Sequence, residues 1–116
     1  MNKIVEFSDA ELQLVQEIVD RRYGVSTEIQ PVTTEIRLYQ EDQELTQCSG
    51  LYWEGRKANF LIFKTNIDRF RSLFFYRVRS QYGTGIPEYD DLKECVTHLL
   101  QVQADHEAKG GDTHVD

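Results

Sequence analysis

The chain has 116 residues, of which 40% are hydrophobic and 28% charged, and its formal net charge is −7. That length supports one hydrophobic core and not two, and the composition excludes a disordered or fibrous chain. An acidic balance of this size opposes approach to phosphate backbones at long range, so any nucleic-acid contact has to come from a local basic patch.

Taken in chain order, the start MNKIVEFSDAEL lacks a long apolar stretch and reads as carrying no secretory signal. Ser8 followed by Glu11 is a capping-box pattern, and Leu12, Val15, Ile18 and Val19 recur at helical spacing until Gly24, which predicts a helix over 8–23. Three runs rich in β-branched and aromatic residues follow: TTEIRLYQ (33–40), ELTQCSGLYWE (44–54) and ANFLIFKT (58–65). The polar turns EDQ and EGRK between them are short, which predicts an antiparallel three-stranded meander.

Asn66 is a helix-capping residue, and Phe70, Phe74 and Val78 follow at intervals of four, so 67–82 reads as a second helix ending before Gly83 and Gly85. A last amphipathic helix is expected over 88–108, with Leu92, Cys95, Val96, Leu99, Leu100 and Gln103 on one stripe. The expected fold class is α+β, a three-stranded antiparallel meander with flanking helices in the order α-β-β-β-α-α. Residues 1–108 read as a single domain and 109–116, with little apolar surface, as a disordered tail.

The order α-β-β-β-α over residues 8–82 is similar to that of the double-stranded RNA-binding domain. That family carries a lysine-rich motif at the start of its second helix; here the corresponding stretch reads NIDRF, so the family's phosphate contacts do not carry over.

Charge is unevenly placed. Residues 1–55 hold four basic and eleven acidic side chains, residues 56–82 seven basic and one acidic, and residues 83–116 two basic and eight acidic. The middle segment is thus a cationic ridge between acidic flanks. Long arginine stems beside an apolar sector look for a carboxylate or an aromatic face. The strands also show apolar residues on both alternating faces, Leu51 and Trp53 against Tyr52, and Leu61 and Phe63 against Phe60 and Ile62. Either the last helix wraps onto the second face or a partner covers it. If the third strand is an edge, Arg56, Lys57 and Lys64 protect it from indiscriminate pairing.

No catalytic motif is recognisable. Cys95 and His98 are spaced to face each other on the last helix, but Cys95 falls on the apolar stripe. His98 and His106 lie roughly 12 Å apart along a helix axis, too far to share a metal, and His114 is in the tail. YGTGIP (82–87) carries a lone G-x-G followed by acidic residues that compete with phosphate, and EDQE (41–44) lacks the glycine and spacing of a calcium loop.

These observations point to a small, acidic, non-enzymatic protein-binding module of adaptor, chaperone or regulatory type, with no cofactor and no metal. Its partner is another protein or a second copy of itself, met through Tyr39, Tyr52, Phe60, Ile62, Arg69, Arg71, Arg77 and Arg79. The alternative is a nucleic-acid-binding regulator using Arg56, Lys57, Lys64, Arg69 and Arg79. The longest apolar runs, 60–63 and 73–76, are far short of the roughly 20 residues of a membrane span, and no membrane role is expected. Cys48 and Cys95 have no metal-type spacing and read as free thiols of a reducing, cytoplasmic compartment.

Overall fold

The computed structural model describes residues 5–36, 46–55, 58–76 and 81–109. Helix α1 (Asp9–Tyr23) opens on the expected capping box: the Glu11 amide donates to Ser8 Oγ at 3.1 Å, and the Ser8 amide donates to Glu11 Oε1 at 2.8 Å. It stops at Gly24, whose left-handed backbone (φ 74°) lets its N–H return to the Asp20 carbonyl at 2.8 Å. Strands β1 (Gln30–Ile36), β2 (Thr46–Gly55), β3 (Ala58–Asn66), β4 (Arg69–Phe75) and β5 (Gln81–Tyr82) follow, and helix α2 (Leu92–Ala108) closes the order.

The three-stranded meander is corrected to one five-stranded antiparallel sheet in the order β1-β2-β3-β4-β5, flanked by two helices; the α+β class stands. The segment expected as a second helix supplies β4 and β5 instead. Phe70, Phe74 and Val78 are four apart, and four is also twice the strand period, so the same spacing fits an alternating strand. Asn66 does cap, but it caps a turn. Its Oδ1 accepts the Ile67 amide at 2.8 Å, and Asn66 pairs with Arg69 across the two-residue loop Ile67–Asp68. The likeness to the double-stranded RNA-binding order falls with that helix, and β3 is a central strand, not an edge.

The last helix starts at Leu92 and not at Glu88, because Tyr89 is committed elsewhere. Its N–H donates to the Phe70 carbonyl at 2.7 Å and its carbonyl accepts from Phe70 at 2.8 Å, so Asp91 becomes the N-cap. Of the tail expected over 109–116, Lys109 caps α2 and the rest lies outside the described residues.

Both helices pack on one face of the sheet. The core there joins Leu51, Trp53, Phe60, Ile62 and Phe74 to Val15 and Val19 of α1 and to Cys95, Val96 and Leu99 of α2. Trp53 and Phe60 stack with ring centroids 5.3 Å apart. Full burial of such side chains contributes on the order of 2 kcal/mol each, which is what holds the helices down.

Gly55 sets how closely α1 ends against β2: a Cβ there would stand 2.4 Å from Tyr23 Cζ. Gly55→Ala forces that ring end aside, and urea unfolding is expected to show a loss of about 1 kcal/mol. In the Tyr23→Leu background, where the ring is absent, the same substitution should cost clearly less.

Candidate functional site

Antiparallel partners share a face, so the register assigns every sheet side chain. Leu51 pairs with Ile62 and Trp53 with Phe60, whereas Tyr52 pairs with Leu61 and Gly50 with Phe63. On β4, Phe74 opposes Phe60 and Leu73 opposes Leu61. The face without the helices therefore carries three cross-strand rows: Val32–Gly50–Phe63–Arg71, Gln30–Tyr52–Leu61–Leu73, and Glu54–Asn59–Phe75–Gln81.

None of these side chains belongs to the helix-facing core. Phe63 and Cys48, both on this face, are nonetheless buried, at 6% and 3% exposure. Gly50 makes the room: a Cβ there would meet Val32 Cγ2 at 3.1 Å and Leu61 Cδ1 at 3.5 Å. The Tyr52 hydroxyl donates to Asn59 Oδ1 at 2.7 Å, and Asn59 Nδ2 donates to the Phe75 carbonyl at 3.1 Å. The ring is thereby held across the sheet by an anchored polar tip.

The charged end of the face is closed by Glu88. Its Oε2 accepts from Arg71 Nε at 3.4 Å and from Thr65 Oγ1 at 2.9 Å, and Oε1 lies 3.9 Å from Arg69 Nε. Burial pushes the Cys48 thiol up, and the Arg71 guanidinium nearby acts in the opposite sense. Among the described residues of this face, Arg69 and Arg71 are set against Glu88 and Glu54, a local balance on a chain of net charge −7.

The expected partner surface is thus regrouped. Tyr52, Arg69 and Arg71 lie on the open face or its rim, but Phe60 and Ile62 do not join them: both are fully buried beneath the helices. In their place the register puts Val32, Leu61, Phe63, Leu73 and Phe75, and the signal for the last two was the alternation in RFRSLFF. Tyr39, Arg56, Lys57, Arg77 and Arg79 lie outside the described residues. Of the alternative phosphate-contacting set, Lys64 faces the helices, 6% exposed, with its ammonium on Glu11, and Arg69 also contacts Asp68 at 3.2 Å.

The remaining chemistry-bearing groups are internally engaged. Cys95 is wholly buried, and burial pushes its thiol up to about 12. His98 Nδ1 lies 2.6 Å from the Tyr89 hydroxyl, which in turn meets Thr84 Oγ1 at 2.5 Å. His106 Nδ1 lies 3.2 Å from the Tyr76 hydroxyl, to which Gln103 Nε2 also donates at 3.2 Å. Among the described residues no three His, Cys, Asp or Glu side chains gather as a metal site would require, and no helix is long and apolar enough to cross a membrane.

The raised Cys95 value fixes an alkaline dependence of stability. An unfolded cysteine loses its proton near pH 9 and the folded one near 12, so between those limits the unfolded chain binds fewer protons and is favoured as pH rises. At pH 10.5 the loss from this group is about 2 kcal/mol. Urea unfolding of Cys95→Ala should show a smaller drop between pH 7.5 and 10.5 than the parent chain.

Comparison with protein-family models, with curated proteins and with solved structures found no match, so the reading of the site rests on its own geometry.

Proposed function

We propose that the chain is a non-enzymatic protein-binding module whose docking surface is the helix-free face of its sheet, and that the occupant of that face is a second copy of the chain. The observation that carries the reading is the set Val32, Tyr52, Leu61, Leu73 and Phe75, half-buried side chains gathered by register on the face opposite both helices, with Phe63 buried beneath them. A sheet face lined by aromatic and aliphatic side chains is a surface that a partner covers.

Size and charge support a second copy. The rows, each four strands wide at the usual spacing, make a face of roughly 20 by 20 Å, and two such faces packed about 10 Å apart cover on the order of 800 Å² in total. An interface of that size is at the small end and suits a dimer that dissociates on dilution. Two chains of net charge −7 repel one another over most of their surface. The locally balanced open face is where they can meet.

A reducing, cytoplasmic setting fits the same reading, since Cys48 and Cys95 are both buried thiols. Sedimentation velocity over a concentration series tests it. The expected result is a species of twice the 13.6 kDa chain mass that dissociates on dilution; a monomer at every concentration would remove the second copy as occupant.

A further inference from the structure

Lys64, Arg69 and Arg71 each meet a carboxylate, whereas Arg21, Arg22 and Lys93 meet none among the described residues. These three unpaired cations line one groove, about 280 Å³ in volume, between α1 and α2. Ile18 and Leu100 supply its apolar part, and Thr97 and Gln101 its neutral polar part. On an acidic chain, three free cations converging on one concavity require a reason.

Helix stability explains two of them. Arg21 and Arg22 occupy the last turn of α1, where cations offset the negative end of the helix dipole. Lys93 is different, because it sits in the first turn of α2, where a cation works against the dipole. Two acids close to them in sequence are engaged elsewhere through one oxygen each. Asp20 Oδ1 accepts from Gln16 Nε2 at 2.9 Å and from the Thr27 amide at 2.8 Å, and Asp91 Oδ1 caps α2 through the Lys93 amide at 3.1 Å.

We infer that this groove binds an acidic segment of another protein, one apolar side chain resting on Ile18 and Leu100 while flanking carboxylates meet Arg21, Arg22 and Lys93. From Lys93 to Gln101 is eight residues, about 12 Å of helix, which is the length of some four extended peptide residues. Nucleic acid fits less well, since no aromatic side chain lines the groove for a base to stack on. The groove belongs to the helix layer, across the molecule from the open sheet face, and the inference stands apart from the dimer.

The test is an amide-shift titration of the intact chain with the acetylated pentapeptide Asp-Glu-Leu-Asp-Glu, with its Leu-to-Ser analogue, and with a five-residue oligothymidylate. The leucine peptide should shift Ile18, Arg22, Lys93 and Thr97, bind several-fold more tightly than the serine analogue, and leave Leu61 and Leu73 unmoved. The double substitution Arg22→Glu with Lys93→Glu, at exposed positions where the fold is retained, should weaken it roughly tenfold. Absence of groove shifts, equal binding of the serine analogue, indifference to the charge reversal, or tighter groove binding by the oligonucleotide would each overturn the inference.

Discussion

Replacing Lys64 by methionine is expected to lower the stability of the folded chain by about 3 kcal/mol, the cost of breaking a buried ion pair by removing one partner. Lys64 stands on β3 opposite Phe70, its ammonium 2.5 Å from Glu11 Oε1 and 5.8 Å from the ring centroids of both Phe7 and Phe70. The same Glu11 oxygen accepts the Ser8 amide that opens α1. One carboxylate therefore ties the start of the first helix to the middle of the sheet.

Methionine keeps the apolar stem but leaves Glu11 with its capping bond alone. Adding Glu11→Gln removes the stranded charge and still completes the capping box, so the double variant should return to within about 1 kcal/mol of the parent. Urea unfolding of the parent, the two single variants and the double variant gives the coupling directly. If the Lys64→Met variant were as stable as the parent, the ion pair would contribute nothing to the fold and this expectation would fail.

The second large effect is expected on assembly. Leu73 lies in the row Tyr52–Leu61–Leu73, half-buried on the open face. In a sheet-to-sheet dimer, Leu73→Asp places a carboxylate and its symmetry mate in the apolar centre, where the Arg71 of the adjacent row is already engaged by Glu88. Burying such a charge unpaired costs several kcal/mol, so dissociation should become roughly a hundredfold easier or more. In the monomer the new carboxylate faces water, and the loss of fold stability should stay near 1 kcal/mol. The contrast with Lys64→Met is the point: one variant loses stability, the other assembly.

How far the sequence reveals these features depends on which kind of pattern encodes them. Helix α1 was legible at both ends because Ser8, Glu11 and Gly24 are local signals with local geometry. Strands β2 and β3 and their hairpin were legible for the same reason. Strand β4 was not, since Phe70, Phe74 and Val78 satisfy helix and strand periods alike, and only the odd-numbered Arg69, Arg71, Leu73 and Phe75 between them separate the two.

The site was half legible. That both sheet faces are apolar is written in the strands, but which residues share a face depends on whether the hairpin loop is odd or even. With Gly55 opposite Ala58, Tyr52 joins Leu61 and not Phe60. A slip of one residue would have placed Tyr52 with Phe60 and Ile62, the grouping expected from the strands alone. The Glu88 contacts with Arg69 and Arg71 were beyond reach of local pattern, because they depend on Tyr89 bridging to Phe70 across the sheet edge.

Methyl-resolved NMR spectra recorded on dilution test the docking surface most directly, because they report where copies meet as well as whether they do. The methyl signals of Val32, Leu61 and Leu73 on the open face should move with concentration, while those of Val15, Val19 and Leu99 in the helix-facing core stay fixed. Open-face signals that do not respond to concentration, or responses confined to the helix layer, would contradict the account.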